Sequence, residues 1–414
     1  MDNPQPNTHK PRSGLKRLLW LAGIACVVLA CILQAELLLL PLPLEGVGRI
    51  VYRIVFFIVL PFRALVAVAI PRMHHHWSLA HHVVTGLGAP FFYWGCYRFF
   101  TRRSRKKRRT HAATEAARIP RRQFLARSAA GAGALAIGGT CGYAALIAPY
   151  RLEVRTYEVP IPGLPRAFDG LRIVHVADTH YGPYNSLSFI QNAADLANAL
   201  EPDLVAFTGD YVHFTPRSIE HGIGVLAKFH GRLGAVAVLG NHEHYEGADA
   251  CRRVFQRIGV PLVDNAHLFL TPRGLTKAPA PGESLCLAGV GDYKQDEVSF
   301  DDALDGVPDH VPRLVLSHNP DAAELVKPGQ RVDLMLCGHT HGGQIKLPVL
   351  GAPWVSSEHG GKYLGGMCQG PQCPVLVTRG VGTAYFPARF GVPPEFGVIT
   401  LRAKTGSRGR SPHR

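Results

Sequence analysis

The chain has 414 residues, with 45 Lys+Arg against 30 Asp+Glu and a formal net charge of +15. The excess is all at the front: residues 1–127 carry 20 Lys+Arg against 4 Asp+Glu, and residues 128–414 carry 25 against 26. This distribution excludes a basic nucleic-acid footprint on the near-neutral part. It fits a membrane region in which Lys and Arg set orientation.

Residues 1–17 are polar and basic, and 18–40 are apolar and long enough to span a bilayer. Residues 50–70 are also apolar but are interrupted by Arg53, Pro61 and Arg63, and 83–100 form a third apolar, aromatic-rich stretch. Residues 102–109 then hold seven positive charges in eight positions. Such a run stays cytoplasmic, as does the basic N-terminus, so an even number of crossings separates them. Spans at 18–40 and 82–100 satisfy that parity, with 50–70 in the interface. Three spans with an external N-terminus is the alternative. His74, His75, His76, His81 and His82 lie between these segments. Without acidic or Cys partners they read as an interfacial loop rather than a metal or pH device.

Ile119-Pro-Arg-Arg-Gln-Phe-Leu-Ala-Arg-Ser128, followed by a small-residue apolar run, resembles a twin-arginine export signal placed internally. The alternative is an ordinary third span, in which Gly138 and Gly142 suit close helix packing. Either carries the chain from the cytoplasm to the outer face. The expected organisation is a membrane region at 1–127, an export-signal-like or anchoring helix at 128–150, a catalytic domain at 151–402 and a disordered basic tail at 403–414. The nine cysteines form no framework. Cys368 and Cys373 alone are close in a loop-like setting, where a disulfide is conceivable in an exported domain.

After Glu153, strand-like runs alternate with helical ones, which argues α/β. Helices are predicted over 186–200, 217–230 and 248–258. Strands are predicted over 261–263, 268–270, 285–290, 313–316, 332–337, 375–378 and 396–401, with Gly/Pro-rich loops at 271–284 and 351–374. Five apolar runs release polar residues at their carboxyl ends: Asp178-Thr-His180, Thr208-Gly-Asp210, Gly240-Asn-His-Glu243, Ser317-His-Asn319 and Cys337-Gly-His-Thr-His341. Ligands of open α/β sheets bind at that edge. His339 and His341, two apart on extended backbone, can face one point. Gly338, Gly342 and Gly343 would let the chain turn there. Singly, each residue has an ordinary structural reading: Asn241 in a turn, Asp210 as a helix cap, each His as a satisfied core histidine. Together, Asp178, His180, Asp210, Asn241, His242, His318, His339 and His341 are too many ligands for one ion and suit two, about 3.5–4 Å apart.

The order of these motifs resembles the calcineurin-like metallophosphoesterases. The stretches His339-Thr-His-Gly-Gly-Gln-Ile-Lys-Leu-Pro348 and Arg379-Gly-Val-Gly-Thr-Ala-Tyr-Phe-Pro-Ala-Arg-Phe-Gly-Val-Pro-Pro-Glu395 resemble a bacterial branch that is membrane-anchored or twin-arginine-exported. That resemblance implies a four-layer α/β/β/α sandwich. It implies one divalent ion on Asp178, His180, Asp210 and His341, and a second on Asp210, Asn241, His318 and His339, with Asp210 bridging. His242 would contact the phosphate and protonate the leaving oxygen. Thr179 stands where Leu or Ile is frequent and touches no ion in this scheme. Mn, Fe, Zn or Co suits such N/O ligands.

The expected function is a membrane-anchored phosphoesterase of the bacterial inner membrane, its catalytic domain on the exported face. Its substrate would be a phosphoester, with phospholipids and glycolipids among the candidates, and no nucleic-acid partner is expected. Loop 351–366 would shape the pocket, with Lys362 or Arg389 facing an anion. One alternative is a UDP-2,3-diacylglucosamine pyrophosphatase, an activity that needs the cytoplasmic side. Another is a non-catalytic metal-binding adaptor on the membrane.

Overall fold

The computed structural model describes residues 121–404. The expected spans at 18–40 and 82–100, the segment 50–70, the histidine cluster and residues 405–414 lie outside the described residues. Helix α1 (Arg121–Leu146) carries the paired arginines in its first described turn. Together with the turn that follows, to Tyr150, it is long and apolar enough to cross a membrane.

The remaining elements, in chain order, are β1 (Glu153–Ile161), β2 (Arg172–Val176), α2 (Leu187–Asn198), β3 (Leu204–Thr208), α3 (Ile219–Gly224), β4 (Ala235–Val238), α4 (Asn241–Glu246) and α5 (Ala248–Ile258). Then come β5 (Ala266–Thr271), β6 (Gly274–Thr276), β7 (Leu285–Gly289), α6 (Phe300–Leu304), β8 (Arg313–Leu316), β9 (Leu334–Cys337), β10 (Gly366–Gln369), β11 (Pro374–Val377) and β12 (Glu395–Ala403). Two mixed sheets result, ordered β1-β12-β2-β3-β4 and β10-β11-β9-β8-β7-β5-β6. In the first, β2, β3 and β4 run parallel; in the second, β7, β8, β9 and β11 do. Carboxyl ends therefore gather along one edge of each sheet.

The layering follows from strand alternation. Ile173, Leu204, Ala206, Val236 and Val238 point inward from the first sheet and meet Leu285, Leu287, Leu314, Leu316, Leu334 and Leu336 of the second. The intervening residues Val174, Val205, Phe207 and Ala237 face outward under α2, α3 and α5. Cys286, Ala288, Val315, Met335 and Cys337 face the opposite way, under α6 and the 3-10 turn Pro320–Leu325. This is the expected α/β/β/α sandwich. Strands covered on both faces read as unbroken apolar runs, which is why they were visible in the sequence.

Some local expectations change. The helix predicted over 217–230 breaks into the 3-10 turn Pro216–Ser218, α3 and a second 3-10 turn, Val225–Lys228. Gly222 lies within α3, where a Cβ would come within 2.9 Å of Val212. The strand predicted over 261–263 reduces to one bridge, Ala237 with Leu262. The loops predicted at 271–284 and 351–374 contain β6 and β10. Strand β1 was not foreseen: it is half exposed, so its sequence lacks an apolar run. Cys368 and Cys373 are free thiols.

His175 on β2 is fully buried, and its Nε2 lies 2.8 Å from Thr208 Oγ1. Burial pushes its imidazole down to about 3. A histidine that is neutral in the folded state and titrates near 6.5 when unfolded contributes stability above that value, and the contribution is lost as the pH falls toward 3. Unfolding midpoints measured from pH 7 to pH 4 should therefore fall, and His175→Phe should flatten that slope.

Candidate metal centre

The polar residues released by β2, β3, β4, β8 and β9 converge. His180 Nε2 is 3.0 Å from His341 Nε2, and His341 Nε2 is 3.4 Å from Asp178 Oδ1. These three form one group whose ligand atoms lie within 4.8 Å of one another. A second group joins Asp210, His318 and His339, with His318 Nε2 3.1 Å from Asp210 Oδ2 and 3.0 Å from His339 Nδ1. Asp210 Oδ2 also lies 3.5 Å from His180 Nε2, so its carboxylate stands between the groups. All seven predicted ligands are buried, and six of them fall into these two groups.

The backbone is bent to achieve this. Asp178, His180, Asp210, His339 and His341 all have left-handed φ, between 43° and 69°. Non-glycine residues take that conformation only where the surrounding structure holds them to it, and such strain clusters at functional sites. Gly338 has a different role from the one expected. It does not adopt positive φ; instead, a Cβ there would come 2.5 Å from Asp178 Oδ2, so glycine is needed for close approach. Gly342 and Gly343 do turn with positive φ, as expected.

Glu243 and Gln344 carried no role in the sequence expectation. The buried Glu243 carboxylate accepts backbone N–H bonds from Asp210, Tyr211, Val212 and Gly240 at 2.7–3.2 Å. It thereby ties the turn after β3 to the start of α4. In the sequence it shows only as Glu three residues beyond Gly240, without the Ser or Thr that completes a capping box. Gln344 donates to the Ala384 and Phe386 carbonyls and accepts from Ala384 N–H, fixing the loop before β12. Asn185 donates to the His180 and Thr383 carbonyls.

Electrostatics favour cations here. Burial keeps the His180 and His341 imidazoles neutral and pushes His339 down to about 3. Burial also depresses His318, but the Asp210 carboxylate outweighs it and carries His318 up to about 10. Burial raises Asp178 to about 7. Neutral imidazole nitrogens 3.0 Å apart either share one proton or face a common cation. His318 Nδ1 donates to the Thr208 carbonyl at 2.8 Å, so Nε2, facing Asp210 and His339, is the nitrogen that would serve an ion once an arriving cation displaced its proton. Asn241 Oδ1 is buried without a partner. An orphaned amide oxygen among imidazoles and carboxylates is a donor set that fits divalent metal ions.

His242 stands beside the groups. It forms a third cluster with His180 and His213. His242 Nδ1 is 2.9 Å from His213 Nδ1, and its ring meets that of His180 edge-on, with centroids 4.7 Å apart. At that Nδ1–Nδ1 distance His213 restrains the ring of His242. His244 lies apart from the ion groups, 3.9 Å from Asp296. Two anion-facing expectations fail. Arg389 is fully buried and donates to the carbonyls of Arg379, Gly380, Gly382 and Val392, with Nη2 3.2 Å from His341 Nδ1. Lys362 is paired with Glu324. From loop 351–366 it is Ser356 that reaches the site, 3.1 Å from His339 Nε2 and 3.2 Å from Tyr385 Oη.

A sandwich that collects Asp, Asn and His at its strand ends in two adjoining cation-binding groups defines a metal-dependent hydrolase. Comparison with known proteins agrees: the calcineurin-like phosphoesterase family pattern matches residues 171–343. The chain is 32% identical over 292 residues to the uncharacterized metallophosphoesterase YkuE of Bacillus subtilis, covering 69% of this chain and 99% of that one. It is 30% identical over 284 residues to the phosphodiesterase YaeI of Escherichia coli, covering 68% and 99%. It is 28% identical over 231 residues to the UDP-2,3-diacylglucosamine pyrophosphatase LpxG of Chlamydia trachomatis, covering 45% and 68%. The chain belongs to the calcineurin-like phosphoesterase family, and it is a metal-dependent phosphoric ester hydrolase.

Proposed function

We propose that the chain is a dinuclear phosphoesterase tethered to the bacterial inner membrane that hydrolyses phosphoester or pyrophosphate bonds at the bilayer surface. The observation that carries the reading is the pair of adjoining ligand groups with the Asp210 carboxylate, a member of one, 3.5 Å from His180 of the other. Asp178, His180, Asp210 and His341 would hold one ion; Asp210, Asn241, His318 and His339 would hold the other. Bound there, the ions would supply Lewis acidity toward the phosphoryl oxygens and toward the attacking water. His242, its Nδ1 engaged by His213, presents its other nitrogen to the substrate and delivers a proton to the leaving oxygen. Glu243 holds Asp210 and Asn241 in register, and Arg389 and Gln344 hold the loops around His341. Mn, Fe, Zn or Co would serve.

The full-length chain in detergent should hydrolyse bis(p-nitrophenyl) phosphate. A chelator should abolish the activity and added Mn²⁺ or Zn²⁺ should restore it, with close to two ions per chain by elemental analysis. Undiminished turnover after the ions are removed would overturn the proposal.

Helix α1 supports the tether, since it is long and apolar enough to cross a bilayer and enters β1 within a few residues. A tether raises the effective concentration of the domain at lipids, so a phospholipid or glycolipid substrate is the favoured class. The likeness to LpxG favours a second reading, the nucleotide-linked diacylated sugar. Sidedness separates the two. Reporters that function only outside or only inside the cytoplasm, fused after Arg414, should show an external C-terminus under the first reading. An internal C-terminus would move the UDP-linked glycolipid to the front and remove the export-signal reading of Arg121 and Arg122.

A further inference from the structure

Between Gln344 and Ser356 the chain makes a short hairpin. Leu347 N–H donates to the Gly351 carbonyl at 2.8 Å, and Gly351 N–H donates to the Leu347 carbonyl at 3.0 Å. Pro348, Val349 and Leu350 form its tip. Val349 adopts a φ of 68°, rare for a β-branched residue, and its side chain is fully exposed. Leu350 is 78% exposed, and Trp354, stacked edge-on against Tyr385, is 50% exposed. Nothing among the described residues accounts for an apolar, strained tip held out in water.

Its position suggests what covers it. The base of the hairpin is bonded to the strand-like segment at Phe390: Lys346 N–H donates to the Phe390 carbonyl, and Phe390 N–H to the Gln344 carbonyl. The preceding residue, Arg389, donates its backbone N–H to the Ala144 carbonyl, in the last turn of helix α1. The tip and the exit of the membrane-length helix are thus fixed to one short segment. Around that exit Leu146, Ile147 and Tyr150 are exposed as well. Lys346 and Arg151 are exposed beside the two apolar groups, where they can meet anionic headgroups. Behind the tip, Ser356 contacts His339.

We propose that the hairpin tip Pro348-Val-Leu350, with Trp354, inserts into the same bilayer that helix α1 enters, and so holds the mouth of the metal centre against the headgroup layer. Apolar and tryptophan side chains beside basic residues are the composition of an interfacial anchor. A second contact point would fix the angle of the domain, which a single helix leaves free. The proposal rests on the membrane tether proposed above and adds the lipid face of the site.

The test uses the full chain reconstituted into phosphatidylethanolamine/phosphatidylglycerol vesicles with or without brominated acyl chains. Tryptophans also occur at 20, 77 and 94, so the emission of Trp354 is taken as the difference between the native chain and Trp354→Phe. That difference should be quenched at least about twofold by brominated lipid. Val349→Asp combined with Leu350→Asp should abolish the quenching. The same double variant should hydrolyse bis(p-nitrophenyl) phosphate as the native chain does, while turnover of a lipid-anchored p-nitrophenyl phosphodiester in the vesicles falls about tenfold. A chain that inserts into vesicles with Trp354 unquenched overturns the proposal and leaves the tether standing. A chain that does not enter vesicles removes the tether, and the proposal with it. Quenching that survives the double variant also overturns it. Cross-linking of Val349→Cys chains into dimers within the vesicles would assign the tip to a second copy instead.

Discussion

Asp210→Asn is expected to lower turnover of a phosphodiester by roughly a thousandfold or more and to bring the ion content below one per chain. The expectation follows from the position of this carboxylate. Its Oδ2 stands 3.1 Å from His318 and 3.5 Å from His180, one from each ligand group, and its Oδ1 accepts the backbone N–H of His242 at 2.9 Å. The substitution keeps the shape and one acceptor but removes the charge. An amide is a weak bridge between two cations, and its neutrality would leave Asp178 as the one carboxylate among the proposed ligands. Replacement of a residue serving one ion, such as His339→Ala, should leave the other group able to bind, and an ion content nearer one per chain. Elemental analysis of both variants beside the native chain checks the ranking. Equal ion loss in the two would show that Asp210 does not bridge.

The contrast between what the sequence disclosed and what it concealed has a physical basis. The six residues of the two candidate metal groups were legible because each follows the carboxyl end of a strand buried on both faces. A continuous apolar run ending abruptly in Asp, Asn or His is conspicuous. Their convergence from separate strands was also legible, because parallel strands place their carboxyl ends on one edge. The supports were not. Glu243, Asn185 and Gln344 bond to backbone groups, several of them tens of residues or more away, and a backbone partner leaves no mark in the sequence. Arg389 misled for the same reason: a basic residue near a phosphate site invites an anionic partner, yet its partners are main-chain carbonyls. Strand β1 was hidden by its exposed face.

The second large effect belongs to His242. His242→Ala should retain both ions while turnover of a phosphodiester with a poor leaving group falls about 10²–10⁴-fold, the range spanned by positioned general acids. The loss should shrink markedly for p-nitrophenyl esters, whose leaving oxygen needs little help from a proton. That dependence on leaving group separates proton donation from simple disruption of the site, which would slow both substrates alike. His213→Ala tests the support: His213 Nδ1 lies 2.9 Å from His242 Nδ1, so its removal frees the ring of His242. It should lower kcat less than His242→Ala does, with the same leaving-group pattern and unchanged ion content. The two substitutions combined should cost little more than His242→Ala alone, because a positioning residue acts only through the group it positions. The same measurements test the alternative of a retired enzyme serving as an adaptor. On that reading His242→Ala would change no function, and nothing would require an acid to be held beside two complete ligand groups.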